Sequence, residues 1–253
     1  MGQNQWDAKG YSKNARFVSD LGMPVVEWLA PVPGETVLDL GCGDGALTAR
    51  LSEMGVIVTG MDSSSSMVEA AQRLGLDAMK ADMHEFNLGR TFDAVFTNAV
   101  LHWTVDINRV LACVRHHLRS GHRFVGEFGG FGNVAAISTA VRASIAIEGC
   151  AEKSFKWYFP TVEEFRQKLE EHGFETVRAE LIPRPTPVPT GMRAWLETFS
   201  RPFVSHLPAD AQESILDRAV KLLQASLQDS AGNWTADYVR LRFHATLRPG
   251  AQD

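Results

Sequence analysis

Apolar positions recur along this chain with two periods, and the two alternate. Residues 19–30 place Leu21, Val25, Val26 and Leu29 on one helical face, and Pro31, Pro33 and Gly34 stop the helix. A continuous apolar run predicts a buried strand over 36–40, then a glycine-rich turn and a helix over 45–54. A second strand over 56–61 ends at Asp62, and residues 63–66, all serine, can cap a helix running to Leu74. Short strands over 77–80 and 92–97 end at Asp82 and Asn98. Ile107, Val110, Leu111, Val114 and Leu118 repeat at helical spacing, and a fifth strand over 122–128 follows Gly121.

The second half is less regular. Residues 132–147 and 161–171 read as helices and 174–182 as a strand. Pro183, Pro185, Pro187 and Pro189 predict an extended, stiff connector into helices over 191–199 and 209–228, the latter striped by Leu216, Val220, Leu223 and Leu227. Val239, Leu241, Phe243, Ala245 and Leu247 alternate with Tyr238, Arg240, Arg242, His244 and Thr246, which is strand periodicity and predicts the last strand of the sheet.

Strand and helix alternate along the chain. That order predicts an α/β fold with a doubly wound, mostly parallel sheet. It reads as a single domain over 1–253, with an N-terminal helical cap (1–33), a core (34–128), a helical segment (129–173) and a helical excursion (183–232) that is a lid or a dimer surface. Ligands of such sheets sit beyond the carboxyl ends of the strands. Asp39, Asp62, Asp82, Asn98 and Glu127 all fall at or just after those ends.

Composition narrows the class. The 253 residues are 45% hydrophobic and 22% charged, with a net charge of -5 from 25 bases and 30 acids, which disfavours a nucleic-acid binder. Cys42, Cys113 and Cys150 are too few and too far apart for a zinc ribbon or a disulfide scaffold, so a reducing, cytoplasmic compartment fits. The polar N-terminus has no signal-peptide core, and the uncharged stretch 128–141 is too short to span a bilayer. No paired-ligand spacing points to a metal, and His116-His117 reads as surface.

The candidate chemistry lies in the turn. Gly41, Gly43 and Gly45 permit a tight turn and close approach of a ligand to the backbone. Gly41, Gly43 and Ala46 also meet a relaxed dinucleotide fingerprint, and Asp62 suits the ribose of either cofactor, so these residues alone leave the cofactor open. Asp39 before the turn and Asp44 inside it favour a cofactor with a cationic amino-acid tail over a pyrophosphate, because like charges repel at short range.

With VLDLGCGDG (37–45), VTGMDSSSSMVEAA (58–71), KADMHEF (80–86) and FDAVFTNAVLHW (92–103), the chain resembles the class I S-adenosylmethionine-dependent methyltransferases. The likeness is specific over 34–128 and is nearest the small-molecule branch that includes trans-aconitate methyltransferase and the malonyl-carrier-protein methyltransferase of biotin synthesis. The resemblance implies a seven-stranded sheet whose last strand is antiparallel. It implies S-adenosyl-L-methionine as cofactor, with its methionine end along Gly41, Cys42, Gly43 and Gly45, near Asp39 and Asn98. Asp62, with Ser63 beside it, would bind the ribose; Asp82 and Met83 would surround the adenine; Tyr11 and Phe17 would close over the cofactor. Met67 fits either a cofactor contact or the sheet core.

His102 and Trp103 are the candidate catalytic residues, as base or positioning group and as pocket wall. Glu127, Phe128 and Phe131, the aromatic run 155–159 with Lys156, and Arg142, Arg193, Trp195 and Arg201 are further acceptor-side candidates. The leading reading is methyl transfer to a small molecule, a carboxylic acid foremost, by a monomer or homodimer without membrane or nucleic-acid partners. The alternatives are methylation of carbon, nitrogen or phenolic oxygen with help from His102, a nicotinamide-dependent oxidoreductase, and a catalytically silent cofactor binder. Asn98-Ala99-Val100-Leu101 lacks the Pro-Pro-aromatic element that base-methylating enzymes use on an extruded base.

Overall fold

The computed structural model describes residues 21–151 and 157–250. Seven strands, β1 (Thr36–Leu40), β2 (Ile57–Asp62), β3 (Ala78–Lys80), β4 (Phe92–Asn98), β5 (Leu118–Gly129), β6 (Phe174–Pro187) and β7 (Thr235–Leu247), form one sheet in the order β3-β2-β1-β4-β5-β7-β6. The sheet is mostly parallel with an antiparallel last strand. The order reverses direction between β1 and β4, the switch point where such sheets open a crevice.

Alternation along the strands explains why both faces are covered. Leu38, Leu40 and Val95 join one buried cluster with Phe124, Phe128, Phe165 and Phe243. Val37, Ala94 and Phe96 join another with Val25, Val26, Leu29, Leu47 and Leu51. Successive side chains of a strand point to opposite faces, so a strand apolar at every position must be buried twice.

Three elements differ from the sequence pattern, each for a physical reason. β5 starts at Leu118 rather than 122: Phe92 pairs Leu118 and Ala94 pairs Arg123, so the extra residues bulge out at Gly121, whose φ is +79°. β6 runs on through Pro183 and Pro185 to Pro187. Prolines at alternate positions put every missing N–H on one side of the strand, the side an edge strand leaves unpaired. In β7 the inward face changes midway. Leu241, Phe243, Ala245 and Leu247 are buried as the alternation requires, but Ala236, Tyr238 and Arg240 are buried in place of Val239.

Smaller differences follow the same logic. The first described helix spans Met23–Leu29 and leaves Leu21 exposed. The helix Ser65–Arg73 has Ser64 at its N-cap without a side-chain cap bond; Asp62 Oδ1 instead accepts from the Ser64 N–H at 2.8 Å. His117 is buried rather than on the surface: it accepts from Leu88 N–H at 2.9 Å, pairs with the Cys113 carbonyl at 2.8 Å, and burial lowers its pKa.

The chain divides into two compact units, Met1–Phe131 with Tyr158–Ile182 and Leu241–Asp253, and Gly132–Trp157 with Pro183–Arg240. The second contains helices Ala135–Ile147, Gly191–Phe199, Arg201–Val204 and Ala209–Leu227. Its longest helix buries Ile215, Leu216, Ala219 and Leu223, a stripe turned slightly from the one read in the sequence. Arg193 pairs with Glu197, Glu213 and Asp217, and Trp195 Nε1 donates to the Tyr238 hydroxyl at 2.7 Å. No described helix is long and apolar enough to cross a membrane.

Candidate cofactor and acceptor site

The carboxyl ends of β1, β2 and β4 meet at the glycine turn. Gly41, Gly43 and Gly45 have φ of +80°, +56° and +86°, a region that side chains other than glycine's enter at a cost. Gly41 N–H and Cys42 N–H donate to the Met61 carbonyl at 2.8 and 2.9 Å, which ties the turn to β2. A Cβ on Gly41 would lie 2.2 Å from a methyl of Val100, whereas one on Gly43 would meet nothing within 4 Å. The turn is therefore closed against β4's loop at Gly41 and open at Gly43. Ala99, with φ of +59°, holds the strained backbone that brings Val100 to Gly41; its N–H donates to the Glu127 carbonyl at 2.7 Å.

Two carboxylates frame this turn. Asp62 accepts from Gly43 N–H at 3.1 Å and from Ser64 N–H. Burial pushes its pKa up against those bonds and one from Ser63 N–H. Asp39 is 2% exposed and accepts from the Thr48 hydroxyl at 2.7 Å. Burial pushes Asp39 up to about 7, opposed by Thr48 and reinforced by the charge of Asp62. Among the described residues neither carboxylate has a cationic partner. Asp44 accepts from Ala46 N–H at 3.3 Å, at the start of the helix Ala46–Glu53. Cys42 is buried beside the turn, and burial and these acids push its thiol well above the ordinary range.

Around the rim, Ser63 is exposed and Met67 is buried. Met83 is half-buried against the main core. Asp82 is exposed and accepts from the backbone and ring of His84 at 2.9 and 2.7 Å. Asn98 ends β4 opposite Glu127, and a Cβ on Gly22 would come within 3.2 Å of its amide nitrogen. Tyr11 and Phe17 lie outside the described residues.

The acceptor-side candidates separate. His102 and Trp103 belong to a short 3₁₀ turn, Leu101–Trp103. His102 is 8% exposed, its ring lies 5.2 Å from Trp103 and 6.1 Å from Phe159, and its carbonyl accepts from Tyr158 N–H at 3.1 Å. Gly129 N–H donates to His102 Nδ1 at 3.3 Å. Glu127 is buried and pairs with Arg242 at 2.8 Å; the Arg242 guanidinium lies over Trp28 and donates to the Pro24 carbonyl, which holds the first helix to the sheet. Phe128 is wholly buried among Tyr158, Phe165 and Phe243, and Phe131 is exposed. Phe155 and Lys156 lie outside the described residues. In the second unit, Arg142 and Trp157 both pack on Phe203, and Arg193 is committed to three acids. Sequence reading missed Thr48, His84, Val100 and Thr104, whose roles depend on partners distant along the chain.

The chain is similar to known methyltransferases. Residues 38–126 match the methyltransferase domain family. An uncharacterized methyltransferase of Schizosaccharomyces pombe is 35% identical over 97% of this chain and 99% of its own length. A trans-aconitate 2-methyltransferase of Rhodococcus jostii is 36% identical, over 46% of each chain. Among solved structures, a putative methyltransferase of Bacillus halodurans superposes with a TM-score of 0.63 at 13% identity, covering 89% of this chain and 98% of the other. Magnesium protoporphyrin IX methyltransferase of Synechocystis, solved with bound SAH, gives 0.59 at 17% identity, covering 97% and 90%. A turn open at Gly43 and framed by acids that lack cationic partners among the described residues suits a cationic sulfonium ligand better than a pyrophosphate. The chain belongs to the S-adenosylmethionine-dependent methyltransferases.

Proposed function

We propose that this enzyme methylates a carboxylate oxygen of a small organic acid. The observation that carries the reading is the Gly129 N–H donated to His102 Nδ1. A backbone N–H cannot reverse its role, so the neutral ring carries its proton on Nε2. His102 then offers a donor, not a base. A donor suits an acceptor oxygen that is already ionised, and a carboxylate is ionised at neutral pH. Phenol or ammonium acceptors must lose a proton and need a base at hydrogen-bond distance.

When bound, S-adenosylmethionine supplies an electrophilic methyl group on its sulfonium. The residues of this chain hold and align. The open backbone at Gly43 and the acid Asp39 receive the methionine end, near Asn98. Asp62 receives the ribose hydroxyls, and Asp82 and Met83 border the adenine. His102 Nε2–H orients the acceptor oxygen, and the Trp103 and Phe159 rings beside it exclude water. The trans-aconitate relatives support an acidic acceptor, although their likeness covers only 46% of the chain or less. The free cysteines Cys42, Cys113 and Cys150 support a reducing, cytoplasmic setting.

The test is transfer of labelled methyl from S-adenosylmethionine to trans-aconitate and related di- and tricarboxylates. The expected product is a methyl ester, which releases its label in base. In His102→Gln, turnover should fall with no change in the shape of the pH profile. A label stable to base, or a basic group lost from the profile with His102, would overturn the carboxylate reading.

A further inference from the structure

We propose that His84 is a positioning residue that couples the loop after β3 to the loop after β4, so that ligand contact at Asp82 sets the placement of His102 and Trp103. The proposal rests on the reading of Asp82 as the adenine-side acid.

The bonds around His84 run in one direction. Asp82 Oδ1 accepts from the His84 backbone N–H at 2.9 Å and pairs with ring Nδ1 at 2.7 Å. On the other side of the ring, Nε2 lies 2.8 Å from Thr104 Oγ1 and accepts from Val105 N–H at 3.3 Å. A backbone N–H only donates, so Nε2 carries no proton in the neutral ring. Nδ1–H therefore donates to Asp82, and the Thr104 hydroxyl donates to Nε2. Thr104 Oγ1 in turn accepts from Asp106 N–H at 3.1 Å, which fixes the direction of its own proton.

Burial sorts the roles along this line. The Asp82 side chain is 63% exposed and reachable by a ligand, the His84 side chain is 12% exposed, and Thr104 is 4% exposed. Asp82 is also held locally: Glu85 N–H donates to its carbonyl at 3.0 Å, closing a tight turn. Thr104 N–H donates to the Leu101 carbonyl at 3.1 Å, and Trp103 N–H to the Val100 carbonyl at 2.9 Å, so Thr104 is the last residue stitched to the 3₁₀ turn that contains His102. Among the described residues the other charged groups here are Glu85 and Arg109, paired with each other at 3.1 Å, and Asp106, whose carboxylate accepts from Asn108 N–H at 3.0 Å. Burial would raise the Asp82 pKa, but the hydrogen bonds from the His84 backbone and ring, with help from the Arg109 charge, hold it low, so this acid stays ionised and able to accept.

Two replacements divide the residue's two hands. His84→Asn keeps a short donor for Asp82 but cannot reach Thr104. His84→Gln places an amide where Nε2 stood and can bond Thr104 and Val105. Amide hydrogen exchange is followed with and without S-adenosylhomocysteine, alongside calorimetric affinity and melting temperature. In the parent, the ligand should slow exchange at residues 101–105 as well as at 41–45. In His84→Asn, affinity should stay within about threefold, protection at 41–45 should persist, and ligand-induced protection at 101–105 should drop about fivefold or more, the scale of one lost hydrogen bond. His84→Gln, which keeps the Thr104 side but loses the side-chain donor to Asp82, should lose it as well. Equal protection at 101–105 in parent and His84→Asn would overturn the coupling. So would loss of protection everywhere with a lower melting temperature, which marks a mere fold staple. Binding by the parent without protection at 101–105 sinks the coupling and leaves the Asp82 reading standing; no binding at all sinks both.

Discussion

The two ends of the central strands treat their carboxylates in opposite ways. At the amino ends, Glu35 meets both terminal nitrogens of Arg123 at 2.7 and 2.9 Å, and that guanidinium holds it below the usual carboxylate range. Burial would raise Asp93, but Thr36 and the Arg119 guanidinium outweigh it and hold it at about 2. At the carboxyl ends, Asp39 and Asp62 accept only from neutral donors among the described residues, and burial pushes both up. The same residue type, a strand length apart, is a satisfied clamp at one end and an unneutralised acid at the other. Among the described residues, arginines stand beside the acids at one end and not beside those at the other.

The glycines repeat the contrast and should show the largest effect. Gly34, before β1, has φ of +86° with open space where a Cβ would go, whereas Gly41, after β1, has a Val100 methyl 2.2 Å away. Gly34→Ala should cost only backbone strain, about 1–2 kcal/mol. Gly41→Ala should add overpacking, for about 2–5 kcal/mol in all, and abolish detectable S-adenosylmethionine binding. Equal losses in urea denaturation would break the comparison.

Stability against pH should bend in opposite senses at the two ends. Asp39 has a folded pKa of about 7, above its unfolded value, so the folded protein holds a proton that the unfolded chain has released. Its effect is a loss of stability as pH rises from about 4 to about 7, of roughly 3–4 kcal/mol. Asp39→Asn should flatten that slope and be the more stable protein at pH 8. Asp93 has the reverse sign: its folded pKa lies below the unfolded one, so its stabilisation is present above the unfolded value and disappears as pH falls through about 2. Asp93→Asn should remove that acid-side loss.

Ligand affinity should separate the ends as well. Asp62→Ala should weaken S-adenosylmethionine binding about tenfold or more by calorimetry, the scale of a lost bond to an ionised group. Asp93→Ala should leave affinity unchanged while lowering stability by about 1–3 kcal/mol. The smallest signal is also the most pointed. If the cofactor's ammonium faces Asp39, binding near pH 6.5 should release up to about one proton, seen as a buffer-dependent enthalpy that Asp39→Asn lacks.

Sequence alone determined the alternation of strand and helix, the polar residues at strand ends, the glycine turn and the family. Those follow from periodicity and from the sterics of a few consecutive residues, which the chain carries locally. The turn residues Gly41 to Gly45 and the acids Asp39, Asp62 and Asp82 were readable for that reason. Tertiary structure alone decided which acids are neutralised, because Glu35 and Arg123 lie 88 positions apart and meet only across the sheet. It decided that β6 continues through its prolines, since only strand order makes an edge. It paired Glu127, at the end of β5, with Arg242 in β7, 115 positions on. It also set the Gly129 N–H against His102 Nδ1 and placed His84 between Asp82 and Thr104. Desolvation and hydrogen-bond direction belong to neighbours in space, and a one-dimensional pattern does not contain them.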